Sequence, residues 1–145
     1  MRVLFICCTL SISCTTAKLI ARNNENFSKI MEVHIHEKFN NDTFSIQNNG
    51  CVLLKNEVII TRGILPNTGI FLVVYQMQKK NYAFEIHQYQ YIDTVFCSGN
   101  LDISFWVNGK KQNVELTKPI APYVGIGRQD DSLTILESDK MFQYD

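Results

Sequence analysis

The chain is expected to be all-β, a two-sheet β-sandwich. Three observations lead there. From Met31 onward apolar residues recur with period two. The apolar runs are short and broken by clusters of Asn, Gly and Pro. No segment keeps a helical period for more than about two turns, short of the roughly 12 to 15 residues below which isolated helices are marginal.

The elements follow in order. Met31, Val33 and Ile35 face one way and Glu32, His34 and His36 the other, which is a half-buried strand. Asn40-Asn41-Asp42 is expected to turn, Phe44 and Ile46 to start a second strand, and Gln47-Asn48-Asn49-Gly50 to turn again. Residues 51–54 and 57–61 read as two short strands around Lys55-Asn56, and residues 63–69 as a loop holding Pro66. Next comes the run around which the chain is organised, Ile70-Phe71-Leu72-Val73-Val74-Tyr75. Ile70, Leu72 and Val74 lie on one face and Phe71, Val73 and Tyr75 on the other, so both faces are apolar. One must meet the core and the other a second partner.

After Lys79-Lys80-Asn81 the alternation resumes with Tyr82, Phe84 and Ile86, then slips to Tyr89 and Tyr91, as one extra residue near His87-Gln88 would produce. Cys97-Ser98-Gly99-Asn100 is a turn, and Leu101, Ile103, Phe105 and Val107 alternate cleanly. Asn108-Gly109 predicts a type I′ hairpin with Val114 and Leu116 on the return, because both central positions need positive φ. Residues 125–131 read as a long loop, Leu133, Ile135 and Leu136 as a last strand, and Met141-Phe142-Gln143-Tyr144 as a short extension.

The 145 residues suit one domain, expected over 31–145, after a signal peptide at 1–17 and a polar lead-in at 18–30. Arg2, an apolar stretch over 3–12 and the small residues Thr15-Thr16-Ala17 fit a cleaved secretory signal. The stretch is too short to span a bilayer, which takes about 20 residues. Cleavage would remove Cys7, Cys8 and Cys14 and leave Cys51 and Cys97 in an oxidising compartment, where one disulfide is the simplest outcome and two buried thiols the alternative. Such a bridge would be worth roughly 3 to 4 kcal/mol by chain entropy. Asn26 and Asn41 head sequons for N-glycosylation. Fourteen basic and fourteen acidic residues give no net charge, and without a basic stripe nucleic acid is not an expected partner.

Catalytic and metal-binding patterns weigh little. His34 and His36 share a strand face and His87 could join them on a metal, but a solvated strand face explains them better. Asp130, Asp131 and Glu137 read as loop and surface charge, and Gly125-Ile126-Gly127 as a turn. Trp106 sits among the polar positions of its strand, covered by a second layer or open to a partner. No enzyme activity, cofactor or metal is expected.

Strands at this spacing suit a jelly-roll or an immunoglobulin-like sandwich. Asn49-Gly50-Cys51-Val52-Leu53-Leu54, then Asn56-Glu57-Val58-Ile59-Ile60, then Gly69-Ile70-Phe71-Leu72-Val73-Val74-Tyr75-Gln76 resembles the tumour necrosis factor ligand family, in particular its small divergent co-stimulatory members. The resemblance implies a jelly-roll and a receptor-binding homotrimer; family members are usually membrane-anchored, whereas the cleavable signal expected here would make this chain secreted. It puts Phe71, Val73 and Tyr75 in the core and Ile70, Leu72 and Val74 on the trimer axis. Receptor contacts are nominated at Lys79, Lys80, Tyr82 and Arg128. The abundance of Asn and Lys suits an AT-rich viral genome, which would make the chain an immune modulator. The alternative is a secreted immunoglobulin-like binding domain, for which Asp93-Thr94-Val95-Phe96-Cys97 resembles the strand bearing the second cysteine.

Overall fold

The computed structural model describes residues 27–36, 38–60, 69–88, 91–117 and 121–143. Within them lie ten strands: β1 (Ser28–Ile35), β2 (Asn40–Asn48), β3 (Cys51–Ile60), β4 (Ile70–Gln78), β5 (Asn81–Gln88), β6 (Tyr91–Ser98), β7 (Ile103–Val107), β8 (Lys110–Leu116), β9 (Tyr123–Gln129) and β10 (Ser132–Ser138). They form a six-stranded sheet, order β10-β9-β1-β4-β5-β6, packed on a four-stranded sheet, order β3-β2-β7-β8. The expected all-β two-sheet sandwich is what the chain forms. Among the described residues there is no helix long and apolar enough to cross a membrane. The signal segment, residues 18–26 of the lead-in, the Asn26 sequon and residues 63–68 of the loop before β4 lie outside the described residues.

Neighbouring pairs are antiparallel except β1 with β9, which run parallel. Phe44, Phe105, Phe84, Met31, Ile46 and Ile103 are fully enclosed between the sheets, and the Phe44 ring lies 5.6 Å from Phe39 and 5.9 Å from Phe105. Four loop and turn readings change. β1 starts at Ser28, inside the expected lead-in. β3 is one strand, because Asn56 at φ 54° absorbs the irregularity that split it, its N–H donating to Ser45 Oγ at 2.9 Å. Residues 40–42 belong to β2, where Asn41 at φ 58° makes the bulge. Residues 123–129 are a strand, hairpinned through Asp130-Asp131 onto β10.

β5 pairs with β6 in unbroken register from Asn81 to Gln88, so the extra residue expected near His87-Gln88 is not in β5. The slip in phase arises because Tyr91 begins another strand. The register shift falls instead between Gln76 and Gln78, where β4 meets β5. Asn108 and Gly109 take φ 51° and 76°, the pair of positive values a type I′ hairpin requires.

The two faces of β4 are the reverse of what the resemblance implied. Leu72 stands opposite Val33 of β1 and Ile86 of β5, both core residues, whereas Phe71 stands opposite His34 and His87. Ile70, Leu72 and Val74 are therefore in the chain's own core, 6 %, 1 % and 0 % exposed, and cannot line a trimer axis. Phe71, Val73 and Tyr75 point outward. An isolated strand with two apolar faces carries no mark of which is inner. The polar residues of its neighbours supply it.

Candidate functional site at the turn end of the sandwich

One end of the sandwich gathers the β2–β3 turn, the β4–β5 turn and the β6–β7 connection. Asn49 and Gly50 occupy the first with φ 47° and 80°, which L-residues other than Asn rarely adopt. Lys80 is at φ 65° in the second, and its carbonyl accepts the Gly99 N–H at 2.8 Å. The pin of this end is Asn48, fully buried. Its Oδ1 accepts the Asp102 N–H at 2.8 Å and its Nδ2 donates to the Asn100 carbonyl at 3.4 Å. The Asn49 N–H donates to the Asp102 carbonyl at 2.9 Å.

The Cys51–Cys97 disulfide joins β3 of one sheet to β6 of the other beside these turns, with Cα atoms 6.2 Å apart. That is the pairing expected from the two cysteines left after a signal cut. It spans 46 residues, so by chain entropy it contributes about 4 kcal/mol.

Between the sheets at this end lies a cavity of about 480 Å³. Its apolar wall is Ile30, Tyr82 and Leu101; its polar wall is Asn49, Gln76, Asn100, Asp102 and Thr117. The rim residues Asn49, Asn100 and Thr117 are exposed, so the cavity meets solvent. Asp102 Oδ1 is enclosed and has no hydrogen-bond partner among the described residues. A second cavity of about 360 Å³ sits on the other side of Tyr82, against Phe96, Cys97 and Ser98.

Of the nominated receptor residues, Lys79 and Lys80 are exposed at this end and Tyr82 lines both cavities. Arg128 is not with them. It lies at the far end of β9, which runs parallel to β1 and so away from the β4–β5 turn. There it ion-pairs with Asp42 across the two sheets, and Asp42 also accepts from Asn108 Nδ2 at 2.8 Å and the Asn40 N–H at 3.0 Å. Burial raises the Asp42 pKa, but the Arg128 hydrogen bond, the Asn40 and Asn108 hydrogen bonds and the Arg128 charge outweigh it, leaving the carboxyl below its usual value. Arg128 is a clasp between the two layers. Asn41, the second sequon, is exposed in β2.

The histidines fall on the outer face of the larger sheet. His34, Phe71 and His87 stack across β1, β4 and β5, with centroids 5.4 and 4.1 Å apart and planes within 14° and 12°. Glu32 Oε1 accepts from His34 Nε2 at 2.7 Å and Glu32 Oε2 from Lys29 Nζ at 2.5 Å. Burial pushes His34 below its usual pKa, against the opposing pull of Glu32. His36 turns its ring over Gly125 and against Phe142, whose centroid is 4.5 Å away. No group of three or more His, Cys, Asp or Glu among the described residues could hold a metal ion. Trp106 is half-buried on the outer face of the smaller sheet, with Lys111 Nζ 6.0 Å from its ring centre.

Comparison with family models, curated proteins and solved structures finds no match. The functional reading therefore rests on this geometry. The sequence nominated Lys79, Lys80 and Tyr82, which lie at this end, and did not single out the polar wall. Asn49 and Asn100 were legible only as turn residues, and Asp102 only as the polar partner of Leu101 in an alternating strand.

Proposed function

We propose that the chain is a secreted, non-enzymatic binding protein that engages a cell-surface receptor through its turn end. One observation carries this reading: three turns, pinned by Asn48 and by the disulfide, set the exposed Lys79-Lys80 pair beside a cavity that mixes apolar and polar side chains. A rigid scaffold presenting loops at one end is how β-sandwiches commonly bind partners. The signal-like N-terminus and the resemblance to receptor ligands support the same class. With Ile70, Leu72 and Val74 turned inward, the proposal is made for the single chain and not for a trimer.

The test is binding of the labelled, disulfide-bonded protein to a panel of cell lines, compared with a Lys79→Glu/Lys80→Glu variant. Both lysines are exposed, so the fold should be unchanged, while loss of charge complementarity should weaken binding about tenfold or more, roughly 1.4 kcal/mol. Binding to none of the lines, or equal binding by the variant, would sink the proposal.

A further inference from the structure

The cavity at the turn end has a chemistry of its own. Its volume of about 480 Å³ is in the range of small-ligand sites. Three of its side chains, Asn49, Gln76 and Asn100, are amides, each able to donate and accept at once. Asp102 adds a carboxylate. Asp102 is also held in place at both backbone groups, its N–H by Asn48 and its carbonyl by Asn49, so little ordering is needed on binding. Tyr82, paired with Gln76 across β4 and β5, supplies an apolar surface.

These features select among ligands. An anion is disfavoured, because among the described residues no Lys or Arg lines the cavity and a carboxylate does. A cation could use Asp102, the Tyr82 ring and the amide carbonyl oxygens, but it would leave the amide N–H donors idle and sit beside the Lys79-Lys80 turn. A neutral polyol ring uses both walls: its hydroxyl groups donate to the carboxylate and exchange hydrogen bonds with the amides, while its C–H face lies on the tyrosine. We propose that this cavity binds a neutral saccharide, a pyranose unit of a glycan carried by the receptor. The proposal rests on the receptor-binding reading above and names the group recognised.

Saturation-transfer NMR on the disulfide-bonded protein, with methyl glycosides of neutral hexoses and N-acetylhexosamines as probes at millimolar concentration, tests it directly. Transfer to the ring protons of at least one glycoside is expected, falling at least fivefold in Asp102→Asn and in Asn100→Ala, with far-UV circular dichroism confirming that each variant is folded. No transfer from any glycoside, or transfer undiminished in both folded variants, overturns the proposal; so does transfer to butylammonium in place of the glycosides, which would make it a cation site. Cell binding before and after enzymatic removal of surface glycans separates this from the broader reading. Binding that survives deglycosylation, with no glycoside transfer, removes the saccharide and keeps the receptor. Glycoside transfer without any cell binding removes the receptor assignment alone.

Discussion

Replacing Leu72 by Ala asks which way β4 faces. Leu72 is 1 % exposed and stands between Val33 and Ile86 on the flanking strands, both 3 % exposed or less. Removing its three outer carbons there leaves a hole that the two sheets can only partly close, at a cost of roughly 3 to 4 kcal/mol. Against a total stability of about 5 to 15 kcal/mol this is a large fraction, and it should lower Tm by about 10 °C. Phe71→Ala is the control on the opposite face, where the ring is half-buried between His34 and His87. Losing that stack and part of the ring's burial should cost about 1 to 2 kcal/mol. Urea unfolding followed by circular dichroism at two protein concentrations tenfold apart, with light scattering in parallel, reads both. The expected result is a midpoint for Leu72→Ala that is lowered and independent of concentration. If Leu72→Ala is instead within about 1 kcal/mol of the parent while dissociating an assembly, the residue faces another subunit and the inward assignment of β4 is wrong.

Other outcomes follow from the same packing. The Asp42 carboxyl is held below its unfolded value near 4, so its contribution is full above that pH and is lost as pH falls through the lower folded value; Asp42→Asn should abolish this acid-side slope and cost about 1 to 3 kcal/mol at neutral pH. His34, also lowered, favours the fold while neutral, so stability should decline as pH drops below about 6.5 toward its folded value, and His34→Phe, which keeps a ring against Phe71, should flatten that decline in pH-dependent melts. Replacing both Cys51 and Cys97 by Ser should remove about 4 kcal/mol in denaturant titration. Gly99→Ala should cost about 1 to 3 kcal/mol, since φ is +114° there and a Cβ would come within 2.5 Å of the Asn49 amide; a variant as stable as the parent would show that the turn end is not closely packed.

The fold class was legible because its signals are local. Alternation at 101–107 marks β7, and Asn108-Gly109 marks the hairpin after it, with no reference to the rest of the chain. β9 was hidden for the opposite reason. Gly125 and Gly127 weaken any strand signal, yet they belong in the sheet because of what lies over them: a Cβ at Gly125 would fall 2.6 Å from His36 Nε2, and one at Gly127 3.1 Å from Thr134 Oγ1. A glycine chosen for a neighbour's side chain cannot be told from a glycine chosen for a turn until the neighbour is known. The polar wall of the cavity was hidden in the same way, since Asn49, Gln76, Asn100 and Asp102 come from separate parts of the chain and meet only when the sheets pack.

The outer face of the larger sheet shows how far such pairing reaches. β1 and β5 each carry a Glu-x-His triplet, Glu32-Val33-His34 and Glu85-Ile86-His87, and both run antiparallel to β4. The triplets are therefore equally oriented on either side of β4, and each sends Glu and His outward while Val33 or Ile86 enters the core. Phe71 falls between the two histidines and Val73 between the two glutamates. The environments differ all the same. Glu32 is drawn down by the hydrogen bonds of Lys29 and His34 in spite of its burial, whereas Glu85 accepts from the Tyr75 hydroxyl at 3.3 Å and stands 3.4 Å from His87 Nε2, which makes no hydrogen bond among the described residues. A sequence repeat this short thus becomes a two-sided clamp on the central strand. The apolar Phe71 and Val73, which the resemblance placed in the core, face outward and are largely occupied by their own neighbours.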